Sequence, residues 1–179
     1  MGGSQGAKSI NKSAIKILEP LSKKYDLQII FQTGRKNFKE VIKKLEKVYP
    51  NSLIDKNLII KPYFDNMTEI LKASDIAISR AGSLSLSELC ACGIASILIP
   101  YPYAAADHQR KNAKFMVDKH AALYLEDKDT TKDTLLIALE QLLGNYDKLH
   151  EIQSNALSIA KLDATENIDK QFKSIIPKS

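Results

Sequence analysis

Apolar side chains along the chain follow two spacings, one typical of helices and one typical of short buried strands. Helical spacing predicts helices over residues 7–24, 36–49, 65–73, 82–92, 107–119, 130–143, 146–160 and 163–176. Short apolar runs predict strands over residues 27–33, 57–63, 75–79, 95–100 and 121–125. Because helices and strands alternate, the sequence predicts an α/β fold, with a Rossmann-like parallel sheet and helices on both faces.

Small and polar residues mark the ends of the predicted helices. Pro50 follows the second helix, which it cannot continue because it lacks an N–H group. Asp65 is placed to cap the short helix after it, and Gly82 opens the helix that ends at Gly93. In folds of this kind, ligands bind beyond the carboxyl ends of the strands. The strand-to-helix loops are therefore the candidate functional segments.

The chain opens with a glycine-rich loop, Met-Gly-Gly-Ser-Gln-Gly-Ala, directly before the first predicted helix. A loop of this kind normally follows a strand, and no apolar run precedes it here. We therefore expect the first strand to be missing and the chain, a single domain over residues 1–179, to be the C-terminal part of a longer protein. A missing central strand would expose two sheet edges. That leaves two alternatives, a marginally stable fold or a strand supplied from elsewhere.

Length and composition exclude several protein classes. With 179 residues, 44% of them hydrophobic and 26% charged, the chain has the composition of one globular domain. No apolar run approaches the roughly 18 residues of a membrane span, and no signal peptide is recognisable, which predicts a soluble protein. Cys90 and Cys92 are too close for an unstrained disulfide and too few for a zinc site. We interpret them as small apolar residues in a reducing compartment.

The positive charge is concentrated in the first third of the chain. Residues 1–61 carry 13 Lys and Arg against 5 Asp and Glu, whereas residues 62–179 carry 13 against 16. Three interpretations are open: a solvated lysine face, contact with an anionic membrane surface, or nucleic-acid binding. No arginine cluster or interleaved aromatic residues support base recognition, so we expect no nucleic-acid partner.

The first candidate site is the glycine-rich loop, with Gly3, Ser4, Gln5 and Gly6. Glycines allow close backbone approach, and free N–H groups at a helix start attract phosphate. The alternative is a plain turn with a helix cap. The loop is not a Walker loop, because no Gly-Lys-Ser/Thr follows, and it lacks the spacing of a dinucleotide-binding fingerprint.

The second candidate site is Ser-Arg-Ala-Gly-Ser-Leu-Ser-Leu-Ser-Glu at residues 79–88. Ser83 and Ser85 present hydroxyl and N–H groups to an anion at the start of a helix. Glu88 lies too far inside the helix for a simple cap and suits a ribose diol, with an exposed helix acid as the alternative. Arg80 has two alternatives, a phosphate or a neighbouring carboxylate.

The third candidate site is Ala-Ala-Ala-Asp-His-Gln at residues 104–109. Asp107, His108 and Gln109 offer donors and acceptors suited to sugar hydroxyls. The alternatives are that Asp107 only caps the next helix and that His108 is a surface residue. His120 and His150 are isolated and predicted to be surface or helix-end residues, and no metal-ligand cluster or Ser-His-Asp arrangement is evident.

Together, residues 2–7, 79–88 and 99–113 resemble the C-terminal, UDP-GlcNAc-binding domain of the MurG family, within glycosyltransferase family 28 and the GT-B fold. The resemblance implies inverting, metal-independent transfer of N-acetylglucosamine from UDP-GlcNAc to lipid I, which forms lipid II in peptidoglycan synthesis. It implies no cofactor. It also implies an N-terminal domain, absent here, that binds lipid I and carries the catalytic base, so no catalytic residue is expected in this chain.

The resemblance also assigns roles to individual residues. It implies diphosphate contacts for Gly3, Ser4, Gln5 and Gly6, and uracil contact by the Phe64 backbone. It places Ser83, Leu84 and Ser85 beneath the nucleotide and phosphates. Glu88 would bind the ribose. Gln109, with Asp107 and His108, would contact the N-acetylglucosamine hydroxyls. Arg110 is not included among the predicted site residues.

The same resemblance implies a location in the bacterial cytoplasm, peripheral on the cytoplasmic face of the cell membrane. The lysine-rich part then has an anionic membrane surface as one candidate partner and a solvated face as the other. We expect the chain alone to bind donor without turnover. An alternative is the nucleotide-sugar-binding subunit of a split glycosyltransferase with a separate membrane partner. The third and least favoured interpretation is a dinucleotide-dependent oxidoreductase.

Overall fold

The computed structural model describes residues 7–160, which form seven α-helices and five strands. The helices are α1 (Lys8–Lys24), α2 (Phe38–Val48), α3 (Met67–Lys72), α4 (Ser83–Ala91), α5 (His108–Asp118), α6 (Lys132–Leu143) and α7 (Tyr146–Ile159). The strands are β1 (Ile29–Gln32), β2 (Leu58–Lys61), β3 (Ile76–Ser79), β4 (Ala95–Leu98) and β5 (Ala122–Tyr124). Short 3₁₀ turns at Ala105–Asp107 and Asp127–Asp129 precede α5 and α6.

All strand pairs in the described residues are parallel. β1 pairs with β2, with Ile29 opposite Leu58. β3, β4 and β5 form a second group in that order, with Ile76 opposite Ala95 and Ser96 opposite Ala122. The prediction of an α/β fold with parallel strands is confirmed. The strands form two groups, however, because β1 and β3 do not pair with each other.

Helices cover both faces of the three-stranded group. Ala95, Ile97 and Ile99 are fully buried on one face, where they pack with residues of α1, α6 and α7. Leu98 is fully buried on the other face, among residues of α4, α5 and α7. Side chains alternate between the faces of a strand, so a strand buried on both sides is mostly apolar, as β4 is apart from the buried Ser96. The predicted helices on both faces are confirmed.

A separate core holds β1 and β2 to the first two helices. Phe31 and Leu58 pack with Leu18 of α1 and with Val41 and Leu45 of α2. The apolar face of α2 is thus buried, whereas its lysines are exposed. This is the amphipathic arrangement that its helical spacing predicts.

The structure changes one predicted helix end. Asp65 was expected to cap α3, but Asn66 does so, because its side-chain oxygen accepts a hydrogen bond from the N–H of Glu69 at 3.4 Å. Asn66 directly precedes Met67, the first helical residue, whereas Asp65 lies one residue too early to reach that N–H. The helix predicted over residues 163–176 lies outside the described residues.

The isolated cysteine and histidine residues have no assembled site. Cys90 is buried in the core near Met116, where burial raises the pKa of its thiol, and Cys92 is a free, partly buried cysteine. His120 and His150 are exposed, as predicted. Over residues 7–160, no three His, Cys, Asp or Glu side chains are grouped to hold a metal ion. In the same range, no helix has the length and apolar character to cross a membrane.

Candidate functional site

Arg80 joins four segments at the edge of the sheet where β3 and β4 end. Its guanidinium donates to the carbonyl oxygens of Ile99 and Pro100, each at 3.0 Å. It also donates to the carboxylate of Asp127 at 2.5 Å and to the hydroxyl of Ser9 at 3.0 Å. Of the two alternatives for Arg80, the structure therefore shows the neighbouring carboxylate.

Two asparagines bring further helix starts to the same edge. Asn11 of α1 donates from Nδ2 to the carbonyl oxygen of Thr33, just after β1, at 2.8 Å. Asn112 of α5 donates from Nδ2 to the carbonyl oxygen of Ala81, just before α4, at 3.1 Å. The first turns of α1, α4 and α5 are therefore tied to the carboxyl ends of the strands, where α/β folds bind ligands.

The start of α4 has no side-chain cap. Gly82 occupies the N-cap position with an extended backbone, at φ −69° and ψ 144°. Leu86 is the first residue whose N–H bonds the Gly82 carbonyl oxygen, at 3.0 Å. The N–H groups of Ser83, Leu84 and Ser85 therefore have no partner within the helix. The Leu84 side chain is 73% exposed, so this helix end also offers apolar surface to a ligand.

Glu88 follows Ser85 by three residues and lies on the same face of α4. Its side chain is partly buried. Within the described part of the chain, its carboxylate has no ion pair or hydrogen bond. Glu88 is therefore available to accept hydrogen bonds from a ligand.

The segment between β4 and α5 contains strained backbone. Ala106 and Asp107 have φ values of 49° and 55°, in the left-handed region that non-glycine residues rarely adopt. Asp107 was considered as a cap for α5, but its side chain makes no cap bond and accepts from Arg110 at 2.8 Å instead. Side-chain caps normally need an extended backbone, which Asp107 lacks.

Two neighbouring side chains in the first turn of α5 hold this loop. The Tyr101 N–H donates to Oε1 of Gln109 at 3.0 Å, so the Nε2 amide of Gln109 remains as a donor. Nδ1 of His108 donates to the carbonyl oxygen of Ala105 at 2.7 Å. That bond leaves Nε2 of the exposed His108 ring as an acceptor in the neutral form.

Arg110, which was left out of the predicted site, is held by its own neighbours. Its Nε and Nη2 donate to Glu126 at 3.1 and 3.2 Å, and the Tyr124 hydroxyl donates to the same carboxylate at 2.5 Å. These hydrogen bonds hold the pKa of Glu126 below its usual value, with Tyr124 contributing more than Arg110. The cluster anchors α5 to the segment after β5.

Phe64 is buried beside the end of β1. Its N–H donates to Oε1 of Gln32 at 3.1 Å, and Nζ of Lys61 lies 5.4 Å from its ring centroid. The Phe64 N–H is therefore already hydrogen-bonded and is not free to bind a ligand. The Phe64 carbonyl oxygen accepts no hydrogen bond from residues 7–160 and is the backbone group left for a ligand.

Four predicted site residues, Gly3, Ser4, Gln5 and Gly6, lie outside the described residues. The sequence interpretation also missed Asn11, Gln32 and Asp127, which position the loops. Asn11 and Gln32 are buried polar residues in a helix and a strand. Buried polar groups need partners, so polarity on an otherwise apolar face is the signal that could have found them.

Residues 1–172 match the family described as Glycosyltransferase family 28 C-terminal domain. The chain is 35% identical over 177 residues to the UDP-N-acetylglucosamine--N-acetylmuramyl-(pentapeptide) pyrophosphoryl-undecaprenol N-acetylglucosamine transferase of Desulforamulus reducens, covering 99% of this chain and 48% of that one. A protein of the same name from Thermoanaerobacter sp. is 40% identical over 176 residues, covering 98% and 47%. The crystal structure of Acinetobacter baumannii MurG matches with a TM-score of 0.81 and 29% identity, covering 98% and 48%.

The chain spans about half the length of the relatives it matches. The likeness confirms the predicted fold class, the Rossmann-like C-terminal half of a GT-B fold. The activities in the relatives' names belong to those longer proteins.

Proposed function

Because this chain belongs to the family of glycosyltransferase family 28 C-terminal domains, we propose that it is the donor-binding half of a hexosyltransferase. Its donor is UDP-GlcNAc, and the complete enzyme transfers N-acetylglucosamine to lipid I, forming lipid II in peptidoglycan synthesis. The observation that carries this proposal is the start of α4, where three N–H groups without helical partners precede the unpaired carboxylate of Glu88.

The diphosphate of the donor lies against helix starts in this proposal. The first turn of α4 offers the N–H groups and hydroxyls of Ser83 and Ser85 to an anion. Aligned peptide dipoles give such a helix end a partial positive charge, which stabilises phosphate. Gly3, Ser4, Gln5 and Gly6 contact the same diphosphate ahead of α1. These groups stabilise the charge on departing UDP, with no metal and no cofactor required.

The nucleoside of the donor binds polar groups that have no hydrogen-bond partner within the described residues. Glu88 accepts hydrogen bonds from the two ribose hydroxyls, for which a carboxylate has the needed acceptor capacity. The Phe64 carbonyl oxygen accepts from the uracil N3–H, because the Phe64 N–H is already bonded to Gln32. Leu84 supplies apolar contact to the nucleotide.

The sugar lies at the loop before α5. Nε2 of Gln109 donates to an N-acetylglucosamine hydroxyl, while Oε1 of the same side chain holds Tyr101. His108 and Asp107 offer further polar atoms in the same turn. The strained backbone at Ala106 fits a loop shaped for recognition.

The chain alone binds donor without turnover in this proposal. Inverting transfer needs a base that activates the acceptor hydroxyl, and we place that base in an N-terminal acceptor domain, as the length of the relatives supports. An alternative is a nucleotide-sugar-binding subunit of a split transferase with a separate membrane partner. An upstream reading frame for an acceptor domain, continuous with this one, would favour the single enzyme. A separate gene with a membrane anchor would favour the split pair.

We place the enzyme on the cytoplasmic face of the bacterial membrane, with α2 and the turn after it toward the lipid. Ile54 is 78% exposed, beside the exposed Leu53. Exposed lysines lie along the same part of the chain, at Lys36, Lys39, Lys43, Lys47 and Lys56. Basic side chains near an anionic leaflet each contribute about 1 kcal/mol. Sedimentation with phosphatidylglycerol vesicles, but not with phosphatidylcholine vesicles, is the expected result, and Ile54→Ser should weaken it.

Calorimetric titration of the full chain tests the donor site. We expect binding of UDP-GlcNAc and UDP, weaker binding of UDP-GalNAc, and none of NAD. Glu88→Gln should weaken UDP binding about 10- to 100-fold, because hydrogen bonds to a charged group contribute about 1.5–3 kcal/mol. Glu46→Gln, which alters an exposed acid on α2, is the matched control.

Two results would overturn the proposal. One is a folded chain that binds NAD and ignores UDP. The other is equal UDP binding by the Glu88→Gln variant and the parent chain. Formation of lipid II from lipid I by this chain alone would contradict the assignment of the catalytic base to an N-terminal acceptor domain.

A further inference from the structure

The segment that leads from β4 into α5 ends in two consecutive residues with a left-handed backbone. Ala106 has φ 49° and ψ 23°, and Asp107 has φ 55° and ψ 28°. These angles are unfavourable for residues that carry a Cβ atom. Such a conformation persists only where surrounding contacts hold it in place. The contacts of Asp107 therefore indicate what holds this left-handed turn, Ala106 and Asp107, at the start of α5.

Arg110 binds the left-handed turn and a second segment of the chain at the same time. Its Nη1 donates to Oδ2 of Asp107 at 2.8 Å. Its Nε and Nη2 donate to the two carboxylate oxygens of Glu126, at 3.1 and 3.2 Å. All three guanidinium nitrogens are therefore hydrogen-bonded, and the contact with Glu126 is the two-bond geometry that arginine forms with a carboxylate. The guanidinium thus has one defined orientation between two carboxylates.

The carboxylate that holds Arg110 is itself fixed to the sheet. Tyr124 is the last residue of β5 and lies opposite Leu98 of β4. Its hydroxyl donates to Oε1 of Glu126 at 2.5 Å. A continuous series of hydrogen bonds therefore runs from the sheet through Tyr124, Glu126 and Arg110 to Asp107. The left-handed turn is held against the sheet by side chains, in addition to the backbone that precedes and follows it.

We propose that Arg110 is a positioning residue that sets which sugar the donor site accepts. It holds the left-handed turn at Asp107, so that the next two side chains, those of His108 and Gln109, meet the donor sugar in one arrangement. Because Oε1 of Gln109 already accepts from the Tyr101 N–H at 3.0 Å, the direction of its Nε2 amide depends on where the turn places the start of α5. This inference rests on the proposed function, since it assumes that the sugar lies at this loop.

The role requires the shape of arginine and not only its charge. The side chains of Arg110 and Asp107 are 34% and 43% exposed, and that of Glu126 is 29% exposed. At this exposure, water screens the attraction between the charges. Lysine carries its charge on a single nitrogen and cannot make the two-bond contact with one carboxylate while it binds a second. Arg110→Lys should therefore fail to hold the turn, although it keeps the positive charge.

Calorimetric titration of the full 179-residue chain with UDP, UDP-GlcNAc and UDP-GalNAc tests the proposal. The two nucleotide sugars differ only in the orientation of one sugar hydroxyl. Arg110→Ala and Arg110→Lys should each lower the preference for UDP-GlcNAc over UDP-GalNAc about three- to tenfold, which corresponds to one lost hydrogen bond. Affinity for UDP should stay within about twofold, because the groups proposed to bind the nucleotide lie on other segments. Lys111→Ala, which removes an exposed charge from the next position of α5, is the matched control and should keep the preference.

A double-mutant cycle tests whether Arg110 acts through Glu126. Glu126→Ala removes the carboxylate that holds the guanidinium, so it should lower the sugar preference by about as much as Arg110→Ala. The double variant should lose no more than either single variant, because both substitutions break the same connection. Losses that add in the double variant would show that the two residues act separately and would overturn the proposal.

Amide hydrogen exchange measures the turn without any nucleotide. The N–H of Asp107 donates to the carbonyl oxygen of Ala104 at 3.0 Å, and its exchange should become at least about tenfold faster in Arg110→Ala. Unchanged exchange at Asp107, or an unchanged sugar preference in Arg110→Lys, would overturn the proposal while UDP binding stays intact. A folded parent chain that does not bind UDP would instead overturn the proposed function, and the sugar preference with it.

Discussion

Arg80 and Asp127 form an ion pair at 2.5 Å, although they are 47 residues apart in the chain. Their side chains are only 13% and 20% exposed. The pair ties the end of β3 to the segment after β5, and Arg80 extends the connection to Ser9 of α1. The Arg80 guanidinium thus adds to the asparagine hydrogen bonds that hold the helix starts proposed to bind the donor.

The first prediction concerns this ion pair. Arg80→Ala should lower the free energy of unfolding by about 3 kcal/mol, because it leaves the mostly buried Asp127 carboxylate without its charged partner and with the Ser9 hydroxyl as its remaining donor. Lys44→Ala removes an exposed pair with Glu40 and should cost less than about 0.5 kcal/mol. Urea denaturation of both variants measures the difference. Equal losses would show that Arg80 contributes no more than a surface residue.

The second prediction separates a binding role from a structural role at Gly82. A Cβ atom built at Gly82 meets nothing within 4 Å, and its φ of −69° suits alanine. Gly82→Ala should therefore change the free energy of unfolding by less than about 1 kcal/mol. UDP affinity should fall at least about tenfold, since the methyl group occupies space beside the helix start where the diphosphate approaches.

Gly93→Ala is the matched control for Gly82→Ala. Gly93 has φ +60°, so alanine there should lower stability by about 1 kcal/mol and leave UDP affinity unchanged in the folded fraction. Denaturation and calorimetric titration of both variants check the two effects separately. Unchanged UDP affinity in Gly82→Ala would contradict a ligand at this helix start.

The third prediction concerns strain in the loop before α5. Ala106→Gly should raise the free energy of unfolding by about 0.5 kcal/mol, because relief of a left-handed strain of about 1–2 kcal/mol outweighs the about 0.5–1 kcal/mol that glycine costs through added freedom of the unfolded chain. Ala105→Gly in the same turn should instead lower stability by about 0.5–1 kcal/mol through added freedom of the unfolded chain. Thermal unfolding of both variants shows whether each substitution raises or lowers stability. A destabilised Ala106→Gly variant would contradict strain at this position.

The sequence predicted the elements well because their signals are local. The apolar spacing of β4 and the helical spacing of α2 depend on neighbouring residues only, and both were confirmed. The Arg80–Asp127 pair depends on segments brought together by the whole sheet, so local pattern could not choose between the alternatives for Arg80. The same limit applies to Asp107, whose left-handed backbone belongs to a loop conformation that no local pattern indicates.

The last prediction is a pH dependence that originates at Glu126. Hydrogen bonds from Tyr124 and Arg110 lower the folded-state pKa of Glu126 below its unfolded value of about 4.3. A lowered folded-state pKa gives stability that is fully present above the unfolded pKa and is lost as pH falls through the folded pKa.

Tyr124→Phe removes the larger contribution, which should raise the folded-state pKa of Glu126 and reduce the stability gained between about pH 3 and pH 6. Urea denaturation across that range measures the change, with Tyr146→Phe on the exposed face of α7 as the control. An identical pH profile for Tyr124→Phe and the parent chain would show that the hydroxyl does not stabilise the ionised carboxylate.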